Sequence, residues 1–139
     1  HPLLDCGVGP RQIDLLEVPK RYQYPGLTVE PVPLRHDVPN QGYQIISEAG
    51  SAFYATDTAS LDGVHAPGLD LYLVEANYQE DEIRERMAQK RMAGQFAYER
   101  RAMANHLSRE QCDRFLAENM GPNSRYVYMH MHEEKETQC

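Results

Sequence analysis

His36 and Asp57 stand where two consecutive strand-like stretches run into their loops. The contexts are His36-Asp37-Val38-Pro39-Asn40-Gln41-Gly42-Tyr43 and Tyr54-Ala55-Thr56-Asp57-Thr58. Strand ends hold side chains rigidly, and an imidazole and a carboxylate placed there are metal-ligand types. Turn chemistry next to Gly, Pro and Asn is the competing reading for both. Three further groups belong to the same argument. Glu75 closes the apolar run 71–74, His106 precedes a helix start at Ser108, and His130 lies two residues before His132, on one face of a strand-like end. A carboxylate that fixes a His ring is a general-acid arrangement. Glu75 holding His106, with metal on His36, Asp57 and His130, would make half of a metallohydrolase centre. Spacing permits that convergence without requiring it. A capping Asp57 and solvated histidines on a terminal strand remain the alternative, and His1 and His65 are expected at the surface. Arg100 and Arg101, just ahead of His106, are suited to a phosphate, or are simply two exposed helix arginines.

The elements that must position these groups come in order. Residues 12–18 and 27–34 read as strands, with Tyr24-Pro25-Gly26 as the turn between them. Pro31 and Pro33 suit an edge or irregular strand better than a central one. Residues 43–46 and 52–55 flank Glu48-Ala49-Gly50-Ser51, a hairpin signal, and 71–75 reads as a buried strand. Helical character then takes over. Residues 79–93 start with Glu80, Asp81 and Glu82 and finish with Lys90 and Arg91, which matches the helix dipole. Ile83 and Met87 line one face, and Gly94 is the expected stop. Residues 96–105 suggest a second helix. Ser108-Arg109-Glu110-Gln111 is a capping box opening a third, which Met120-Gly121-Pro122-Asn123 ends. Residues 125–131 form a last strand. The expectation is one α/β domain over residues 1–132, followed by a charged tail over 133–139.

Bulk properties narrow the function. The 139 residues carry a formal charge of −7, which argues against a surface built for broad phosphate-backbone binding but not against a local site. No apolar run approaches a membrane span. Cys6, Cys112 and Cys139 are odd in number and lack CxxC spacing, which suits a reducing cytoplasm. The opening at His1, running at once into Leu3-Leu4, is expected of a chain that lacks its true start.

The order and contexts of these residues resemble the metallo-β-lactamase fold in its ribonuclease Z-like phosphodiesterase branch, and the small members of that fold found in bacteriophages and prophages. Residues 32–43 resemble the family's third motif, with its His and Gly-Tyr, and 53–58 its (Gly/Thr)-Asp-Thr fourth motif. Leu73-Val74-Glu75-Ala76-Asn77-Tyr78 is similar to the His-Glu-Ala-Thr-Phe segment of ribonuclease Z, with Val74 in place of the His. His106-Leu107-Ser108 is similar to the family's helix start, and 127–132 to the closing strand with its fifth-motif His. The likeness spans residues 3–134. It implies the C-terminal part of an αββα sandwich and two divalent ions, Zn or Mn. His36 would bind one metal, Asp57 would bridge both and His130 would bind the second. His106 would be the general acid, oriented by Glu75, with His132 as an alternative ligand. The family's His-x-His-x-Asp-His signature is absent from these 139 residues, so the N-terminal strands and most ligands would have to come from a missing segment or a partner chain.

Two functions follow. The first is a metal-dependent hydrolase acting on a phosphodiester, a cyclic nucleotide or a nucleic acid, complete only with that missing part. The second is a non-catalytic protein-binding module, either a degenerate half-domain or a phage-encoded inhibitor. A mononuclear site from His130, His132 and Asp57 is a third. A half-domain would expose the inner face of its sheet, which favours a partner or a homo-oligomer. A phage-encoded chain would act in the cytoplasm of its bacterial host.

Overall fold

The computed structural model describes residues 16–96 and 98–131. Among the described residues six strands form one sheet in the order of the chain: β1 (Tyr22–Tyr24), β2 (Leu27–Leu34), β3 (Asn40–Ser47), β4 (Gly50–Ala55), β5 (Leu71–Glu75) and β6 (Arg125–Met129). Pairing is antiparallel from β1 to β4 and parallel from β4 to β6. Three helices, α1 (Glu80–Met92), α2 (Glu99–Asn105) and α3 (Arg109–Asn119), connect β5 to β6. Such a crossover is what a parallel neighbour requires. No described helix is long and apolar enough to cross a membrane.

Several local expectations change. The strand expected over 12–18 falls mostly outside the described residues, and its described end, 16–18, leads into a turn. The first strand is instead the short Tyr22–Tyr24, so Tyr24 ends a strand and the turn is Pro25-Gly26, with Gly26 at φ 72°. Strand β2 is internal in the order, yet its prolines obey the edge rule locally. Residues of β1 face only 27–29, so Pro31 and Pro33 lie past its end, where no ladder bond is lost. The second helix starts at Glu99 rather than 96. The capping box forms as expected, with Ser108 Oγ accepting from Gln111 N and the Gln111 side chain accepting from Ser108 N. The chain after α1 turns at Gly94, whose φ of 64° only glycine adopts at no cost.

The two faces of the sheet differ. Phe53, Tyr72 and Phe115 stack with ring centroids 5.1–6.4 Å apart, and α3 adds Cys112 and Leu116 to this core. Tyr72 keeps its hydroxyl satisfied by donating to Ala66 O at 2.6 Å, which ties the loop after β4 to the core. Cys112 is fully enclosed here, and burial pushes its thiol up to about 12, so it stays a thiol at neutral pH. On the opposite face, cross-strand register puts Val29, Ile45, Ala52 and Leu71 in one row. Tyr43, Tyr54, Leu73 and Val127 form the next. These side chains are only half-buried, and Val127 is 48% exposed.

Candidate metal centre

Strand direction brings the chemistry together. Strand β3 runs antiparallel to both β2 and β4, so β2 points the same way as β4, β5 and β6. His36, Asp57, Glu75 and His130 each stand at or just past the C-terminal end of one of these four strands, hence at one edge of the sheet. That edge is where open α/β sheets place ligands. His106 arrives from the other side, in extended conformation (φ −125°, ψ 154°) between α2 and the Ser108 cap.

Glu75 is the hub. Its side chain is fully buried and both oxygens are used. Oε2 accepts from Thr58 N at 2.9 Å and Leu107 N at 3.3 Å, and Oε1 accepts from His106 Nδ1 at 2.7 Å and His130 Nδ1 at 2.9 Å. A carboxylate only accepts, so both imidazoles carry their proton on Nδ1 and, when neutral, present a bare Nε2. Asp57 Oδ1 lies 3.0 Å from His130 Nδ1 and 3.7 Å from His106 Nδ1. Among the described residues, Asp57, Glu75, His106 and His130 offer ligand-type atoms all within 4.8 Å of one another. The imidazoles stand in a row, with ring centroids 5.4 Å apart from His36 to His106 and 5.0 Å from His106 to His130.

The loops that hold this cluster use specific contacts. Asp57 has φ 55° and His130 φ 50°, left-handed backbone that few non-glycine residues adopt and in which aspartate and histidine are enriched. Asn40 Nδ2 donates to the Thr56 and Asp57 carbonyls at 2.8 and 2.9 Å, and Asn77 Nδ2 donates to His130 O at 2.9 Å. A side chain at Gly42 would put its Cβ 2.5 Å from Tyr54 O, so only glycine lets β3 lie close enough to the strand leading to Asp57. Asn40, Asn77 and Asp37 have roles the sequence reading did not assign. Asn40 and Asn77 sit in the motifs that carried the resemblance, which was the available signal.

The remaining candidates are placed as follows. His36 Nδ1 is buried and lies 2.7 Å from Asp37 Oδ1, off line for a hydrogen bond, so it has no hydrogen-bond partner among the described residues. Asp37 gives its other oxygen to Arg101 Nη2 at 2.9 Å, and this bond, ahead of smaller effects, holds the Asp37 carboxyl below its usual range. Arg101 thus lies beside the row of imidazoles, whereas Arg100 lines a groove between α1 and α2. His132 lies outside the described residues.

The donor set fits part of a metal site. Asp57 and His130 are 45% and 46% exposed and able to reach an ion, and His36 adds a buried nitrogen without a hydrogen bond. Glu75, with every acceptor position engaged, is placed to orient rather than to ligate. A closed site wants four donors, or three and a water, so the donors at this edge would make up only part of one.

The sheet and its helices are those of the metallo-β-lactamase fold, of which this chain carries a part. The chain is similar to the metallo-β-lactamase fold protein YhfI from Bacillus subtilis, with 14% identity, a TM-score of 0.60 and coverage of 84% of this chain and 40% of that one. It is also similar to Zn2+-bound PqqB from Methylobacterium extorquens, with 16% identity, a TM-score of 0.53 and coverage of 84% and 44%. The chain therefore spans less than half the length of either structure. No family model and no curated protein matches its sequence.

Proposed function

We propose that this chain supplies one side of a metal-dependent hydrolase centre that acts on phosphodiester bonds. The single observation carrying the reading is Glu75 Oε1 binding two imidazoles at the ligand edge of the sheet. His36, Asp57 and His130 would hold two divalent ions, zinc or manganese, together with donors from a further segment or partner chain. When bound, such ions act as Lewis acids and lower the pKa of water to near neutrality. His106 keeps its Nδ1 proton on Glu75 and uses Nε2 to hand a proton to the leaving oxygen, while the buried carboxylate stabilises the imidazolium form that donates it. Arg101 stands beside His36, near where a phosphate would lie, though Asp37 engages part of its guanidinium.

The half-buried apolar face supports the need for a further layer, because exposed apolar patches of this kind mark interfaces. The same face favours a second reading, a non-catalytic module that docks onto another protein. Metal analysis separates the two. The hydrolase reading expects zinc or manganese to bind, and His130→Ala or Asp57→Ala to abolish uptake together with hydrolysis of bis(p-nitrophenyl) phosphate once the complementary segment is added. Absence of metal and of hydrolysis in that reconstituted protein would leave the docking module.

A further inference from the structure

We propose that the tip of the α1–α2 hairpin is a docking surface for single-stranded nucleic acid. An open groove lies here, away from the imidazoles. It encloses about 520 Å³ and is lined by Met87, Arg91, Gln95, Phe96 and Arg100. Phe96 is 89% exposed and Met92 91% exposed, although folding gains nothing by leaving them in water. The charge is equally local. Within residues 86–101 five basic residues face one acidic residue, in a chain whose net charge is −7. That one acid, Glu99, is buried and bonded to Lys90 at 2.5 Å, so the exposed charge at the tip is arginine.

An open aromatic ring beside arginines matches the two groups a nucleotide presents. An unstacked base lies on the ring, and its phosphates meet guanidinium groups. A duplex keeps its bases stacked on one another, so the ring selects single strands. Acidic side chains alone would use the arginines but carry no aromatic face to lay on Phe96. Helix α2 leads from this tip to His106 over seven residues, a rise of roughly 10 Å. A strand docked on the tip can therefore run to the proposed hydrolytic edge within a few nucleotides. The inference deepens the phosphodiester reading by naming the polymer that carries the bond.

The test is fluorescence anisotropy with a labelled single-stranded DNA oligonucleotide of mixed sequence, in EDTA throughout. Binding should weaken with added salt and should fall on the order of tenfold in Phe96→Ala, the usual scale of one lost stacking contact. The double variant Arg91→Glu, Arg100→Glu should remove it. All three side chains are exposed, and thermal melts of the variants check that the fold is kept. Absence of wild-type binding, a Phe96→Ala variant that binds as well as wild type, or equal competition by polyglutamate would overturn the proposal. The polyglutamate result would assign the tip to an acidic protein. Because the binding assay needs no metal, retained binding while the reconstituted protein takes up no metal and hydrolyses no phosphodiester would remove the hydrolase reading and leave this one. Metal-dependent hydrolysis without oligonucleotide binding would do the reverse.

Discussion

Glu75 and Asp37 do the same kind of work under opposite conditions. Each sets a carboxylate oxygen 2.7 Å from a histidine Nδ1, His106 for Glu75 and His36 for Asp37. Glu75 is fully buried, closes a central strand and spends its second oxygen on two backbone N–H groups. The Asp37 side chain is 37% exposed, sits in a loop and spends its second oxygen on Arg101, a side chain 80% exposed. Burial decides what each can fix. A carboxylate without access to water has no substitute for its partners, so its geometry is enforced. One at the surface exchanges each contact for a hydrogen bond to water at little cost. The molecule has one imidazole pair held by a buried carboxylate and, beside it, one imidazole next to a part-exposed carboxylate.

The largest effect should come from removing the buried hub. Glu75→Ala strands the buried N–H groups of Thr58 and Leu107 and releases two imidazoles, four hydrogen bonds lost around one enclosed carboxylate. Breaking such a network costs about 3–5 kcal/mol, comparable with the whole stability of many domains. Urea unfolding should show the midpoint collapse. A midpoint near that of the wild type would mean the hub is not enforced.

Glu75→Gln sharpens the same point at smaller cost. The amide oxygen can still accept from the two backbone N–H groups, but the side-chain NH2 then faces both Nδ1 atoms as a donor. Both histidines must switch to the Nε2–H form. We expect a folded protein in which nitrogen NMR shifts report the tautomer change in His106 and His130 and metal uptake is lost. Unchanged tautomers would show that something other than Glu75 sets them.

How much of this was legible in the sequence follows from the range of each interaction. The Ser108 capping box and the 43–55 hairpin are local, and their residue types announce them. The three-residue β1 is invisible, because Tyr22-Gln23-Tyr24 is a strand only by virtue of the β2 edge it meets. The candidate residues stood out individually, but the meeting of Asp57, Glu75, His106 and His130 within 4.8 Å depends on three parallel strands ending at one edge and on the α2–α3 connection reaching it, a property of register and packing that no spacing encodes. Adjacent arginines illustrate the limit. Consecutive helix positions differ by about 100°, enough to send Arg101 to Asp37 and Arg100 to the groove at the tip.

The smallest effect belongs to the exposed pair and tests the other half of the comparison. Arg101→Ala should leave the urea midpoint at neutral pH unchanged, since a surface ion pair contributes little and salt screens it. Its signature is in acid. Arg101 lowers the Asp37 carboxyl in the folded state, so the pair's contribution is present above the unfolded value near 3.8 and vanishes as pH falls through the lower folded value. Direct titration of the Asp37 carboxyl by NMR should therefore show it moving back toward 3.8 in Arg101→Ala. The His106 and His130 tautomers should stay where Glu75 holds them. If the His106 and His130 signals shifted as well, the two carboxylates would be coupled through the row of imidazoles, and His36 would belong to the unit that Glu75 holds.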